Sequence, residues 1–173
     1  MSIDGKIVLV DGHEASKDCF ETALELNGLE MDIEYFDTAQ DAVYHLKKEE
    51  YPLIIVNPSE INPISDGSDV KLMDKKIAEI LRSVHPHKYW QVGLYVIEQL
   101  RSHDSVNRDT PIIIWTEIDP TSDRIIPDAQ ASALVAGATD YCSFTPSRVR
   151  PDRELAEMIR KYSGRKNSEF ARQ

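Results

Sequence analysis

The sequence predicts an α/β fold, a doubly wound parallel sheet of five strands in the order 2-1-3-4-5, with one extra helix inserted after the third strand. Two observations predict it. Ile7-Val-Leu-Val10, Leu53-Ile-Ile-Val56 and Ile112-Ile-Ile-Trp115 are short, continuous apolar runs rich in β-branched residues. That is how strands buried on both faces of a parallel sheet read. Between such runs lie segments with apolar residues spaced by three and four, the pattern of helices that cover a sheet.

Each element follows from its local residues. Lys6–Val10 is the first strand and leads into Asp11-Gly12-His13-Glu14. Ser16 is placed to cap a helix over Lys17–Asn27, where Cys19, Phe20, Ala23 and Leu24 share a face and Gly28 supplies the stop. Met31–Phe36 alternates as a strand. Thr38-Ala-Gln-Asp41 resembles a capping box with a shortened acid, opening a helix to about Glu49 with Ala42, Val43 and Leu46 inward. The third strand, 53–57, stands between Pro52 and Pro58. Asp69–Val84 has apolar residues at Val70, Met73, Ile77, Ile80, Leu81 and Val84, an amphipathic stripe. His85-Pro-His-Lys-Tyr-Trp90 breaks it, and a helix resumes over Gly93–Arg101. Beyond the polar loop Ser102–Asp109, Pro111–Thr116 is the fourth strand. Asp123–Ala136 is mostly helical, with Pro127 near its start and Gly137 at its end. Asp140–Phe144 is the fifth strand and Asp152–Ser163 the last helix. The domain therefore spans 1–163, with an insertion at about 63–91 and a flexible basic tail at 164–173. The strand order is the flavodoxin-like one.

Composition narrows the function classes. At 173 residues, 41% hydrophobic and 29% charged, the chain suits one soluble domain. It shows neither a membrane-spanning run nor a signal peptide. Cys19 and Cys142 fall in expected core elements and suit buried thiols in a reducing cytoplasm. The net charge of −10 speaks against nucleic-acid binding. It is unevenly placed: from Ser147 onward eight basic residues face four acidic ones, net +4, leaving −14 on the first 146 residues.

In a doubly wound sheet, function gathers where loops leave the carboxyl ends of the strands. At the exit of the third strand stands Asn57, a neutral amide where an acid would invite metal or phosphoryl chemistry. Signatures for dinucleotides, the P-loop and the nucleophile elbow are missing. The loop after the first strand, with one glycine and two acids, is a poor cradle for flavin phosphate.

Lys6-Ile-Val-Leu-Val-Asp11, Pro52-Leu-Ile-Ile-Val-Asn57, Gly93-Leu-Tyr-Val-Ile-Glu-Gln-Leu-Arg101, Pro111-Ile-Ile-Ile-Trp-Thr116 and Ala136-Gly-Ala-Thr-Asp-Tyr141 follow one another in order. Together they resemble the receiver domain of response regulators, a flavodoxin-like (CheY-like) fold, from Lys6 to about Ser163. The resemblance implies a Mg²⁺ site of two adjacent acids after the first strand and an aspartate ending the third. That aspartate accepts the phosphoryl group, and a lysine after the fifth strand pairs with its charge. Here the acid pair is Asp11-Gly12, the acceptor position is Asn57 and the lysine position is Phe144.

One carboxylate of three remains for a hard cation. The Asn57 amide is no anionic nucleophile, Phe144 cannot neutralise a phosphoryl group, and Pro58 has no backbone N–H to offer. The resemblance and its departures point to a stand-alone, phosphorylation-independent pseudo-receiver. Such a module would act in cytoplasmic signalling by docking to a protein partner or a second copy of itself. It would have no catalysis and no cofactor or metal, and would bind neither nucleic acid nor membrane. Two alternatives stand beside it: an atypical receiver holding metal or phosphoryl through Asp11 and Glu60, and a small-ligand binder using the crevice between strands one and three.

Other residues are open to two readings. Thr116 and Tyr141 occupy the family's switch positions and equally suit plain packing. His13 and Glu14 suit an acid/base cluster or a polar helix cap. His85, His87 and His103 suit metal ligands or solvated loop residues. The inserted helix is either a lid on its own chain or an interaction surface, with Val70, Met73, Ile77, Tyr89 and Trp90 as its candidate contacts.

Overall fold

The computed structural model describes residues 6–58, 61–63, 74–83, 87–117, 128–144 and 151–163. Five parallel strands form one sheet in the order β2-β1-β3-β4-β5. They are β1 (Ile7–Val10), β2 (Ile33–Phe36), β3 (Ile54–Val56), β4 (Ile112–Glu117) and β5 (Asp140–Phe144). The helices are α1 (Glu14–Leu26), α2 (Ala39–Leu46), α3 (Lys75–Arg82), α4 (Lys88–Leu100), α5 (Ala129–Ala136) and α6 (Pro151–Ser163).

The period-2 alternation of the strands sorts their apolar side chains into two layers. Val8, Val10, Ile54, Val56, Ile112 and Ile114 face α2, α4 and α5. Ile7, Leu9, Leu53, Ile55, Ile113 and Trp115 face α1 and α6. Both faces are buried, which accounts for the unbroken apolar runs. In the second layer Trp115 packs edge-on to Phe20 of α1, with ring centroids 5.4 Å apart.

Several boundaries differ from the sequence expectation. Helix α1 starts at Glu14, and its N-cap residue is His13, without a side-chain cap; Ser16 lies inside the helix. The loop is held instead by Asp11, whose Oδ1 accepts the His13 N–H at 2.9 Å in a two-residue side-chain turn. Cys19 is exposed, whereas Cys142 is buried and its thiol is pushed up to about 12 by burial. Thr38 does cap α2, its Oγ1 accepting the Asp41 N–H at 3.2 Å and donating to the Asp41 carboxylate at 2.7 Å.

Helix α4 begins at Lys88, so Gly93 lies in its interior rather than at its start. A Cβ at Gly93 would fall 2.4 Å from the Cα of Pro58. The glycine is there because α4 crosses directly over the chain leaving β3.

The inserted helix is shorter than 69–84 in the described residues. Asp74 caps it, its side chain accepting from the N–H groups of Lys76 and Ile77. Ile77 is fully buried, and Ile80 and Leu81 pack against the same core as α2 and α4. The described part of its apolar stripe, Ile77, Ile80 and Leu81, thus packs on its own chain. Val70, Met73, Val84, His85 and Pro127, like the tail at 164–173, lie outside the described residues.

Candidate functional site

The carboxyl end of the sheet brings three loops together. Asp11 follows β1, Asp37 and Thr38 follow β2, and Asn57 follows β3. Asn57 is buried, 1% exposed, and its backbone N–H continues the ladder to the Val10 carbonyl at 2.9 Å. Its side-chain amide donates to Asp11 Oδ2 at 2.9 Å. Both Asp11 oxygens are therefore engaged by N–H donors, Oδ1 by His13 and Oδ2 by Asn57.

Asn62, unremarked among the candidate residues, laces these loops. Its backbone accepts from Ala39 at 2.7 Å and donates to Asp37 at 3.1 Å. Its side-chain amide donates to the Gly12 carbonyl at 3.2 Å. An isolated parallel bridge pairs it with Thr38. A loop asparagine with donors and acceptors on both chain and side chain suits this task, but the sequence does not reveal which loops it ties.

The residues present do not fit a Mg²⁺ ion. A hard cation takes oxygen donors, and Asn57 turns its N–H₂ toward the Asp11 carboxylate, with Gly12 adding no side chain. Facing a carboxylate, the amide presents its donor nitrogen rather than its oxygen. Among the described residues, no three His, Cys, Asp or Glu side chains gather as a metal site. Glu60 lies outside the described residues. Phe144 ends β5 as backbone, paired with Glu117, and its side chain also lies outside the description.

Thr116 is buried at the end of β4 and registers with Ser143 of β5, while Tyr141 registers with Ile114. The period of two puts Thr116 and Tyr141 on the same face of the sheet. The Tyr141 hydroxyl is buried with no hydrogen-bond partner among the described residues, and burial raises its pKa. Tyr141 and Ser143 line a surface groove of about 550 Å³ with Asp128, Gln130 and Leu134.

The candidate surface residues do not stay together. Ile77 and Trp90 are buried, so neither is open to a partner. Trp90 donates its indole N–H to Ser132 Oγ at 3.2 Å, tying α4 to α5. Tyr89 is half exposed, at 50%. His87 precedes α4 as its N-cap residue and makes no side-chain cap.

No protein-family model and no curated protein matches the sequence. Solved structures do match. One is the signal receiver domain of a two-component histidine kinase from Clostridium thermocellum, with a TM-score of 0.61 at 18% identity, covering 93% of this chain and 98% of that one. The chain has the receiver fold. A CheY-like response-regulator receiver domain protein from Methanospirillum hungatei aligns with a TM-score of 0.57 at 16% identity, covering 95% and 97%. The receiver domain of sensor histidine kinase PA1611 from Pseudomonas aeruginosa aligns with a TM-score of 0.55 at 18% identity, covering 92% and 98%. That structure holds a magnesium ion in its active-site cleft. The strand order of the receiver fold is the one observed here. Among the described residues, no helix is long and apolar enough to cross a membrane.

Proposed function

We propose that this chain is a pseudo-receiver, an interaction module of signalling that works without phosphorylation and without catalysis. The observation that carries the reading is the hydrogen bond from the Asn57 amide to Asp11 at 2.9 Å. At the position where receivers carry a nucleophilic carboxylate, this chain holds a neutral amide. That amide's N–H is spent on the one carboxylate left in the pair after β1.

The surroundings support the same reading. Asn62 ties the loops after β1, β2 and β3 to one another, and Pro58 is packed under Gly93 of α4. A pocket that must admit a metal and a phosphoryl group needs open coordination positions and a nucleophile. Here the carboxylate is held by internal donors. The remaining function of such a fold is to present surfaces, with a protein as partner.

Incubation of the purified chain with acetyl phosphate and Mg²⁺, read by intact mass, tests the proposal. The expected result is an unmodified mass. An acid-stable, hydroxylamine-sensitive acyl-phosphate adduct would overturn it.

A further inference from the structure

We propose that the two asparagines at the carboxyl end of the sheet, Asn57 and Asn62, are chemically locked as amides, and that deamidation among the described residues falls instead on Asn27, where α1 ends. The proposal deepens the pseudo-receiver reading and rests on it for its meaning. Deamidation of Asn57 would create the very aspartate whose replacement that reading depends on.

An asparagine deamidates when the backbone nitrogen of the next residue attacks its side-chain carbon. The proton of that nitrogen leaves with the side-chain amide as ammonia, a five-membered imide closes, and water opens it to aspartate or isoaspartate. The reaction needs an N–H after the asparagine, and it runs best where the following residue is small. Asn57 is followed by Pro58 and Asn62 by Pro63. A proline nitrogen carries no hydrogen, so it cannot form the imide. The other asparagines of the chain, Asn27, Asn107 and Asn167, precede Gly28, Arg108 and Ser168 and have no such block. Burial of Asn57 also keeps bulk water from hydrolysing its amide directly.

Asn27 is the opposite case. Gly28 follows it because α1 stops on a residue of left-handed backbone, φ 66°. Gly28 is exposed, and a Cβ built on it would meet no described atom within 4 Å. With the helix end closed, the Gly28 N–H donates to the Glu25 carbonyl at 2.9 Å and the Asn27 side-chain amide to the Ala23 carbonyl at 2.8 Å. The reaction therefore waits on fraying of the last turn, the part of a helix that opens most readily. Its product loosens the fold. Arg160 of α6 donates to the Asn27 backbone carbonyl, and isoaspartate, with one more main-chain carbon, displaces that carbonyl. Either product also sets a negative charge at a helix C-terminus, where the dipole disfavours it. Asn107 is fully buried with both ends of its amide bonded, and Asn167 lies outside the described residues.

The test is peptide mapping by mass spectrometry on the full chain, aged at mildly alkaline pH with and without urea. Urea removes the effects of burial and leaves the effect of the following residue alone. A gain of about one dalton is expected at Asn27 in both samples, about tenfold faster in urea, and at neither Asn57 nor Asn62 in either. Pro58→Ala should open Asn57 to the reaction in urea, a result that does not depend on whether the variant folds. Folded chain that has reacted at Asn27 should melt at a lower temperature than fresh chain. A dalton gained at Asn57 or Asn62 of the native sequence, an unreacted Asn57 in Pro58→Ala under urea, an Asn27 that reacts no faster in urea, or an unmoved melting midpoint would each overturn the proposal. An acyl phosphate on fresh chain would sink the pseudo-receiver reading and leave this pattern standing, so the two can fail separately.

Discussion

Two buried asparagines hold opposite ends of the same sheet, and they are bonded in opposite ways. Asn107, at the amino end, is entirely committed to structure. Its Oδ1 accepts from the Tyr51 N–H and the Thr110 hydroxyl, and its Nδ2 donates to the carbonyls of Leu46 and Glu49. Arg101 completes that end, donating to the carbonyls of Gly137, Asn107, Arg108 and Thr110. Asn57, at the carboxyl end, reaches a charged side chain, Asp11. The amino end is a knot of side chain to backbone. The carboxyl end is a contact of side chain to side chain, a neutral amide against a carboxylate. One closes the sheet; the other stands at the position where the proposed reading has a receiver's acceptor replaced.

Substitutions should separate the two ends, and the largest effect belongs to Asn107. Asn107→Ala strands the buried Tyr51 N–H and Leu46 carbonyl and frees the part-buried Glu49 carbonyl, at about 1–3 kcal/mol for each buried group left unpaired. A loss of roughly 3 kcal/mol in urea unfolding is expected, and a loss below about 1 kcal/mol would break the comparison. Arg101→Lys comes next, at about 2 kcal/mol, because an ammonium cannot reproduce the planar fork that serves several carbonyls at once. If the lysine variant unfolds at the same urea concentration as the native chain, charge alone explains the site.

Asn57→Asp sharpens the contrast through pH. It sets two carboxylates where a donor and an acceptor now meet at 2.9 Å. Their repulsion raises one folded-state pKa above its unfolded value of about 3.9. The folded variant then holds a proton that the unfolded chain has released. Stability relative to the native chain is retained below about pH 4 and lost as pH rises through the raised pKa, by about 1–2 kcal/mol at neutral pH. Mg²⁺ should recover part of it, since two facing carboxylates suit a hard cation. A stability difference independent of pH would show that the pair is not in contact. Asn57→Ala should cost least, about 1 kcal/mol, because Asp11 keeps the His13 N–H and is partly open to water. A cost matching that of Asn107→Ala would erase the distinction between the ends.

The carboxyl end was the more legible in the sequence. Strands buried on both faces leave continuous apolar runs, and the residue following such a run is necessarily at the crevice. Asn57 and Thr116, at the ends of such runs, could therefore be placed from the sequence, whereas Tyr141, inside β5, was singled out only by the resemblance. Asn107 could not be. In sequence it is one polar residue of a loop, and its partners Leu46, Glu49 and Tyr51 are more than 50 positions away. Hydrogen bonds of that span leave no periodicity. Helix starts failed for a related reason. Ser16 offered a capping side chain, but the loop was already fixed by Asp11, and α1 begins earlier at Glu14. Trp90 read as an interface residue because its ring is large and amphipathic. The structure buries it, where its indole N–H finds Ser132.

If, as proposed, the carboxyl end has lost phosphoryl and metal chemistry while keeping the receiver fold, neither Mg²⁺ nor a phosphoryl mimic should perturb it. An amide NMR titration with Mg²⁺, then with Mg²⁺ and beryllofluoride, tests it most directly. The indole of Trp115 is a good reporter, next to Thr116 and packed on Phe20 of the helix that follows Asp11. Flat signals are expected at Asp11, Asn57, Thr116 and Trp115 throughout. Saturable shifts at those residues, deepening when beryllofluoride joins the metal, would contradict it and make the chain an atypical phosphate-responsive switch.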